Sequence, residues 1–135
     1  MRENEVSVIV GGGAGVSASC GRLLSNEGLK VAIAARNPKK TSLQLLKDGY
    51  NVGVYGCDAS DEQSVVDLFN QVKTDLGNPT LVIHNIDGRT PNVFRKEITE
   101  VAAEDVKSTL MNSTYSAFLV AQQAARCFLD NELRD

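Results

Sequence analysis

An apolar run stops at glycines in Val8-Ile9-Val10-Gly11-Gly12-Gly13-Ala14-Gly15-Val16-Ser17-Ala18, and small and apolar residues resume beyond them at helical spacing. Such a stretch reads as a strand, a turn and a helix N-terminus, and the chemistry it offers is anion binding. Glycines let the backbone turn and approach a pyrophosphate closely, while the first amides and the dipole of the helix supply about half a positive charge. Gly13-x-Gly15-x-x-Ala18 fits the dinucleotide fingerprint G-x-G-x-x-G/A in its Ala form, with Gly11 where the strand ends. The expected ligand-contacting positions here are Gly11, Gly13, Gly15 and Val16. A glycine run also serves as a plain strand-helix connection, so residues further along must decide between the two.

The most informative of these is Arg36, which follows the apolar run Val31-Ala32-Ile33-Ala34-Ala35. In a parallel α/β sheet the end of the second strand lies beside the adenosine ribose of a bound dinucleotide. An Asp or Glu there accepts from the ribose hydroxyls of NAD, whereas a guanidinium pairs with the 2′-phosphate of NADP. Arg36, with Lys39 and Lys40 nearby, therefore favours NADP over NAD and argues against FAD and S-adenosylmethionine. The plainer alternative is a solvated arginine at a strand end.

These residues need a scaffold, and the 135 residues have room for a single domain, 1–135, with a modest core. The composition, 42% hydrophobic and 23% charged with net charge −3, is that of an ordinary globular protein, and no basic surplus points to nucleic acid. No apolar run is long enough for a membrane span, and the charged N-terminus lacks the character of a signal peptide, so a cytoplasmic protein is expected. Cys20, Cys57 and Cys127 lack metal-ligand spacing and read as small buried hydrophobes in a reducing compartment.

The first helix is expected to bury Val16, Cys20, Leu23 and Leu24 and to end at Gly28 in the left-handed conformation. A strand follows over Leu29–Ala35, without the alternation that a wet face would impose. Asn37-Pro38 reads as N-cap and first helical residue of a helix running through Leu43, Leu45 and Leu46 to Gly49. The third strand spans Asn51–Gly56, and Ser60-x-x-Gln63 reads as a capping box for a helix burying Val65, Leu68, Phe69, Val72 and Leu76. Strand four is Thr80–His84, and a long helix begins near Ala102. The β-α-β-α-β-α-β alternation predicts a doubly wound, Rossmann-like parallel sheet of order 3-2-1-4.

With these elements in place, the chain resembles the short-chain dehydrogenase/reductase family over nearly all its length. The resemblance rests on the glycine turn, on Cys57-Asp58-Ala59-Ser60-Asp61 after strand three and on His84-Asn85-Ile86-Asp87 after strand four. It implies that Asp58 contacts the adenine and that Asn85 braces the central strands and the cofactor region. Ile86 and Asp87 stand where the family has Ala and Gly, and Ser17 where a Gly is usual. Anchored on Phe118-Leu119-Val120-Ala121-Gln122, the long helix places Ser113 at the family's active-site Asn, with Asn112 one residue early.

The family's carbonyl chemistry uses a Tyr-x-x-x-Lys pair and a Ser. Here Tyr50, Tyr55 and Tyr115 are followed four residues later by Val54, Ala59 and Leu119, so no catalytic residue is assigned. His84, the sole histidine, reads as structural. The resemblance implies that the sequence stops about where the family's fifth strand begins. The expected function is that of the NADP(H)-binding portion of a carbonyl/alcohol oxidoreductase; the alternative is a non-catalytic dinucleotide-binding or scaffold module. Strand four would then present an open edge, and pairing with a second copy or a companion chain is expected along it or along the long helix.

Overall fold

The computed structural model describes residues 4–132, with the side chains of residues 40–42 not described, so Lys40, expected beside Arg36, lies outside the described side chains. Four strands, β1 (Val6–Val10), β2 (Lys30–Ala35), β3 (Val52–Gly56) and β4 (Pro79–His84), form one sheet of order β3-β2-β1-β4. Every neighbouring pair is parallel. The strand bounds lie within a residue of those expected.

Alternate side chains of the central strands feed two cores. Val6, Val8 and Val10 of β1, with Ala32 and Ala34 of β2, meet Val65, Leu68, Phe69 and Val72 of α3 (Glu62–Asp75) and Leu119, Val120, Ala124 and Cys127 of α5 (Ser116–Glu132). Ile9, Val31 and Ile33 face the other way, onto Ala18 and Leu24 of α1 (Val16–Asn26) and Leu45 of α2 (Lys39–Lys47). A strand buried on both faces has no wet side, which is why β2 reads as a continuous apolar run. Burying a side chain such as Phe69, among the largest in the core, contributes about 2–3 kcal/mol.

Three helical expectations need correction. In α1 the buried residues are Ser17, Ala18, Gly21 and Leu24, whereas Val16 and Leu23 are 63% and 58% exposed. Small residues bring this helix close to the sheet, and a Cβ on Gly21 would lie 3.4 Å from Ile33 and Leu45 side-chain carbons. In α2 Leu45 is buried, but Leu43 and Leu46 face outward, and Pro38 rather than Asn37 occupies the N-cap position. The capping box does not form. Asp61 precedes α3, and the Ser60 hydroxyl donates instead to Asp58 Oδ1 at 2.7 Å, so it serves the turn before the helix. Gly28 does take the expected left-handed conformation after α1, at φ 87°.

The long helix is not uniform. α4 (Ala103–Leu110) runs through a π turn, Met111–Tyr115, into α5. Thr109, Ser113 and Ser116 each donate a hydroxyl to a carbonyl four residues back, at 2.8, 2.6 and 2.6 Å, a habit that loosens the regular helical ladder. Asn78 Nδ2 donates to the Cys127 carbonyl at 2.8 Å and to Asn131 Oδ1 at 2.7 Å, fastening α5 to the loop before β4. Behind β3, the Tyr55 hydroxyl donates to Asp75 Oδ2 at 3.0 Å; burial, then the neighbouring carboxylate, pushes its pKa up to about 12.

Candidate functional site

The carboxyl ends of all four strands are tied together by backbone bonds. Asn85 N donates to Val10 O at 2.8 Å, Gly11 N to Ala34 O at 2.9 Å and Cys57 N to Ala35 O at 3.0 Å. Above this rim lies a cleft of about 340 Å³, lined among others by Gly11, Gly13, Arg36, Asp58, Asn85 and Asn112. Such a place, outside the carboxyl ends of parallel strands where the connections diverge, is where α/β sheets bind ligands.

Each expected position can be located. Gly11 sits at φ 102°, and a Cβ there would run into the Asn85 carbonyl, 2.6 Å from its carbon. No other residue fits at that point. Gly13 and Gly15 differ, because a Cβ on either would meet nothing within 4 Å: their backbone faces open space, Gly13 on the cleft wall and Gly15 at the N-cap of α1. Val16 is exposed, and neither it nor Gly15 is among the residues lining the cleft.

Arg36 is exposed and lines the cleft, as does Asp58. The Asp58 carboxylate accepts the Ser60 hydroxyl at 2.7 Å and the Ser60 amide at 3.0 Å, and these bonds hold it below the usual carboxylate range, with Arg36 adding a smaller attraction. Asp58 is thus an ionised acceptor fixed by its own turn. Asp87 contributes a second carboxylate to the cleft lining, pinned by Arg89 through Nε at 2.9 Å and Nη2 at 2.7 Å.

Ser17 is the site residue that sequence reasoning undervalued. Its side chain is fully buried, its hydroxyl donates to the Gly11 carbonyl, and it accepts from Asn85 Nδ2 at 3.1 Å. The hydroxyl fills the place of the missing glycine and joins the turn after β1 to the chain leaving β4. The Asn85 side-chain amide is thus engaged with Ser17.

Asn112 also reaches the cleft, with Nδ2 donating to the Gly88 carbonyl at 3.3 Å, while Ser113 turns its hydroxyl back to Thr109. The π turn explains why the helical register was ambiguous: the wider turn shifts the face presented by each following residue. Gly88 is closely fitted there, since a Cβ on it would lie 2.7 Å from Ser113 Cβ.

His84 lies outside the cleft. Its Nε2 shares a hydrogen bond of 2.9 Å with Ser116 Oγ, which also lies within hydrogen-bond reach of the Asn112 and Ser113 carbonyls. Burial pushes its pKa down and keeps it neutral. Cys57 and Cys127 are buried and Cys20 partly so; burial raises the thiols of Cys57 and Cys127. Among the described residues no cluster of His, Cys, Asp or Glu has metal-ligand geometry, and no helix is long and apolar enough to cross a membrane.

Comparison with known proteins agrees with this geometry. A family model described as enoyl-(acyl carrier protein) reductase matches residues 11–132. A (21S)-21-acetoxyl-apo-melianone synthase of Melia azedarach is 26% identical over 130 residues, covering 96% of this chain and 47% of its own length. A crystal structure of a short-chain type dehydrogenase/reductase from Mycobacterium marinum superimposes with a TM-score of 0.84 at 20% identity, over 96% of this chain and 52% of that one. A short-chain dehydrogenase from Burkholderia cenocepacia in complex with NADP gives 0.77 at 18% identity, over 92% and 51%. The chain spans about half the length of the relatives it matches. With its glycine turn, its sheet order and the match across residues 11–132, the chain belongs to the short-chain dehydrogenase/reductase family of oxidoreductases.

Proposed function

We propose that the cleft binds NADP(H) and that the chain supplies the cofactor-binding portion of an oxidoreductase acting on a carbonyl or alcohol. The observation that carries this reading is the pair Gly13 and Gly15, whose missing side chains leave open space beside a cleft that Arg36 also lines. The diphosphate would lie on the amides between β1 and α1, where the helix dipole favours it. Arg36 would take the 2′-phosphate and Asp58 the adenine amino group, while Asn85 and Ser17 hold the turn in shape. The other half of the ligand then extends toward Asn112. When bound, the cofactor supplies or accepts a hydride; this chain's own residues bind and orient it.

A second reading, a dinucleotide-binding module without turnover of its own, is favoured by one observation: neither a tyrosine nor His84 is among the residues that line the cleft. The free, largely buried cysteines support a reducing, cytoplasmic location for either.

The test is titration of the chain with NADPH and NADH. NADPH should bind at least about tenfold more tightly, the worth of one charge-assisted phosphate pair, and Arg36→Glu should abolish that preference. Equal affinity for the two cofactors, or a preference unchanged in Arg36→Glu, would overturn the NADP assignment. A carbonyl-reduction assay on the same sample separates the two readings.

A further inference from the structure

Two carboxylates line the cleft, and the arginines near them are used differently. Among the described residues Arg36 forms no ion pair with Asp58, whose carboxylate accepts from Ser60 instead. Arg89, by contrast, spends both arms of its guanidinium on Asp87, at 2.9 and 2.7 Å, and its own amide donates to Asp87 Oδ1 at 3.2 Å. Its guanidinium carbon also stands 4.9 Å from the centre of the Phe94 ring, a cation–π contact that helps fix it in this pose. The pair is solvent-exposed, and such pairs add little to fold stability, so the geometry is better explained by what it does to the cleft. Asp87 puts a negative charge on the wall of a cavity whose glycine turn invites an anion.

We infer that Arg89 is a positioning residue that neutralises Asp87 and so allows an anionic dinucleotide to occupy the cleft. This rests on the dinucleotide reading above. Arg89 itself is not among the residues lining the cavity, and it acts through Asp87 rather than on the ligand. Without it, an uncompensated carboxylate would stand on the wall of the cleft that the anionic ligand enters. Repulsion between solvated charges within one cleft is worth about a few-fold in affinity and is screened by salt.

The experiment measures NADPH affinity of the parent chain, Arg89→Gln, Asp87→Asn and the double variant, at low salt and at about 0.5 M salt, where the Debye length falls to a few ångströms. Arg89→Gln should bind roughly threefold to fivefold more weakly at low salt, the gap should close at high salt, and Asp87→Asn added to it should restore affinity to about the parent's value. A merely structural loss would follow neither salt nor the second substitution. Parent-like binding by Arg89→Gln, or a loss that persists in the double variant, would overturn this inference alone. A parent chain that binds no NADPH at either salt concentration would overturn it together with the dinucleotide reading.

Discussion

The glycines after β1 do two different jobs, and substitution separates them. Gly11 → Ala would force a side chain against the Asn85 carbonyl at a positive φ, so it should destabilise the fold by about 3 kcal/mol or more, read by chemical denaturation. Gly13→Ala meets nothing within 4 Å and should leave stability unchanged within about 0.5 kcal/mol while weakening NADPH binding, because the methyl group occupies the ligand's space. If Gly13→Ala bound NADPH as well as the parent, the turn would be a plain connection. At this scale the places of Gly11, Arg36 and Asp58 beside the cleft were legible because each follows the end of a strand. Ser17 was not legible, since its partner Asn85 is 68 residues away and nothing local shows that a hydroxyl can stand in for a glycine.

Among the elements, strands were read more accurately than helices, and packing distance is the reason. Counting large apolar residues points α1 at Val16 and Leu23, but a helix lying close on a sheet must present small ones, and Ser17, Ala18 and Gly21 take the inner face. The long helix hid its π turn because hydroxyl back-bonding leaves no mark on apolar periodicity. Strand β4 poses a different question. It pairs with β1 alone among the described residues, and Leu81 to His84 are only half-buried. Beside it, Val82, Ala117, Val120, Ala121 and Phe128 line an apolar groove. An edge without Lys or Pro along its outer half is a template for pairing. The 135-residue chain by itself should therefore self-associate, sedimenting as a dimer or larger at about 100 μM. A monomer of unchanged size across that concentration range would contradict this.

At the scale of the whole molecule, the sheet has two distinct ends. The carboxyl end gathers the glycine turn, Arg36, Asp58 and Asn112 around the cleft, whereas the amino end collects the helix C-termini and the turns at Gly28 and Gly49. The dipoles of α1 and α2 point their positive ends toward the first and their negative ends toward the second, which directs an anionic ligand to one end only. The most direct test is to follow the backbone amides by NMR while NADPH is added. The expected result is that Gly11, Gly13, Arg36 and Asp58 shift with a single saturating curve while Gly28, Gly49 and Gly53 stay in place. Shifts centred on the amino end of the sheet, or none at millimolar NADPH, would contradict the account.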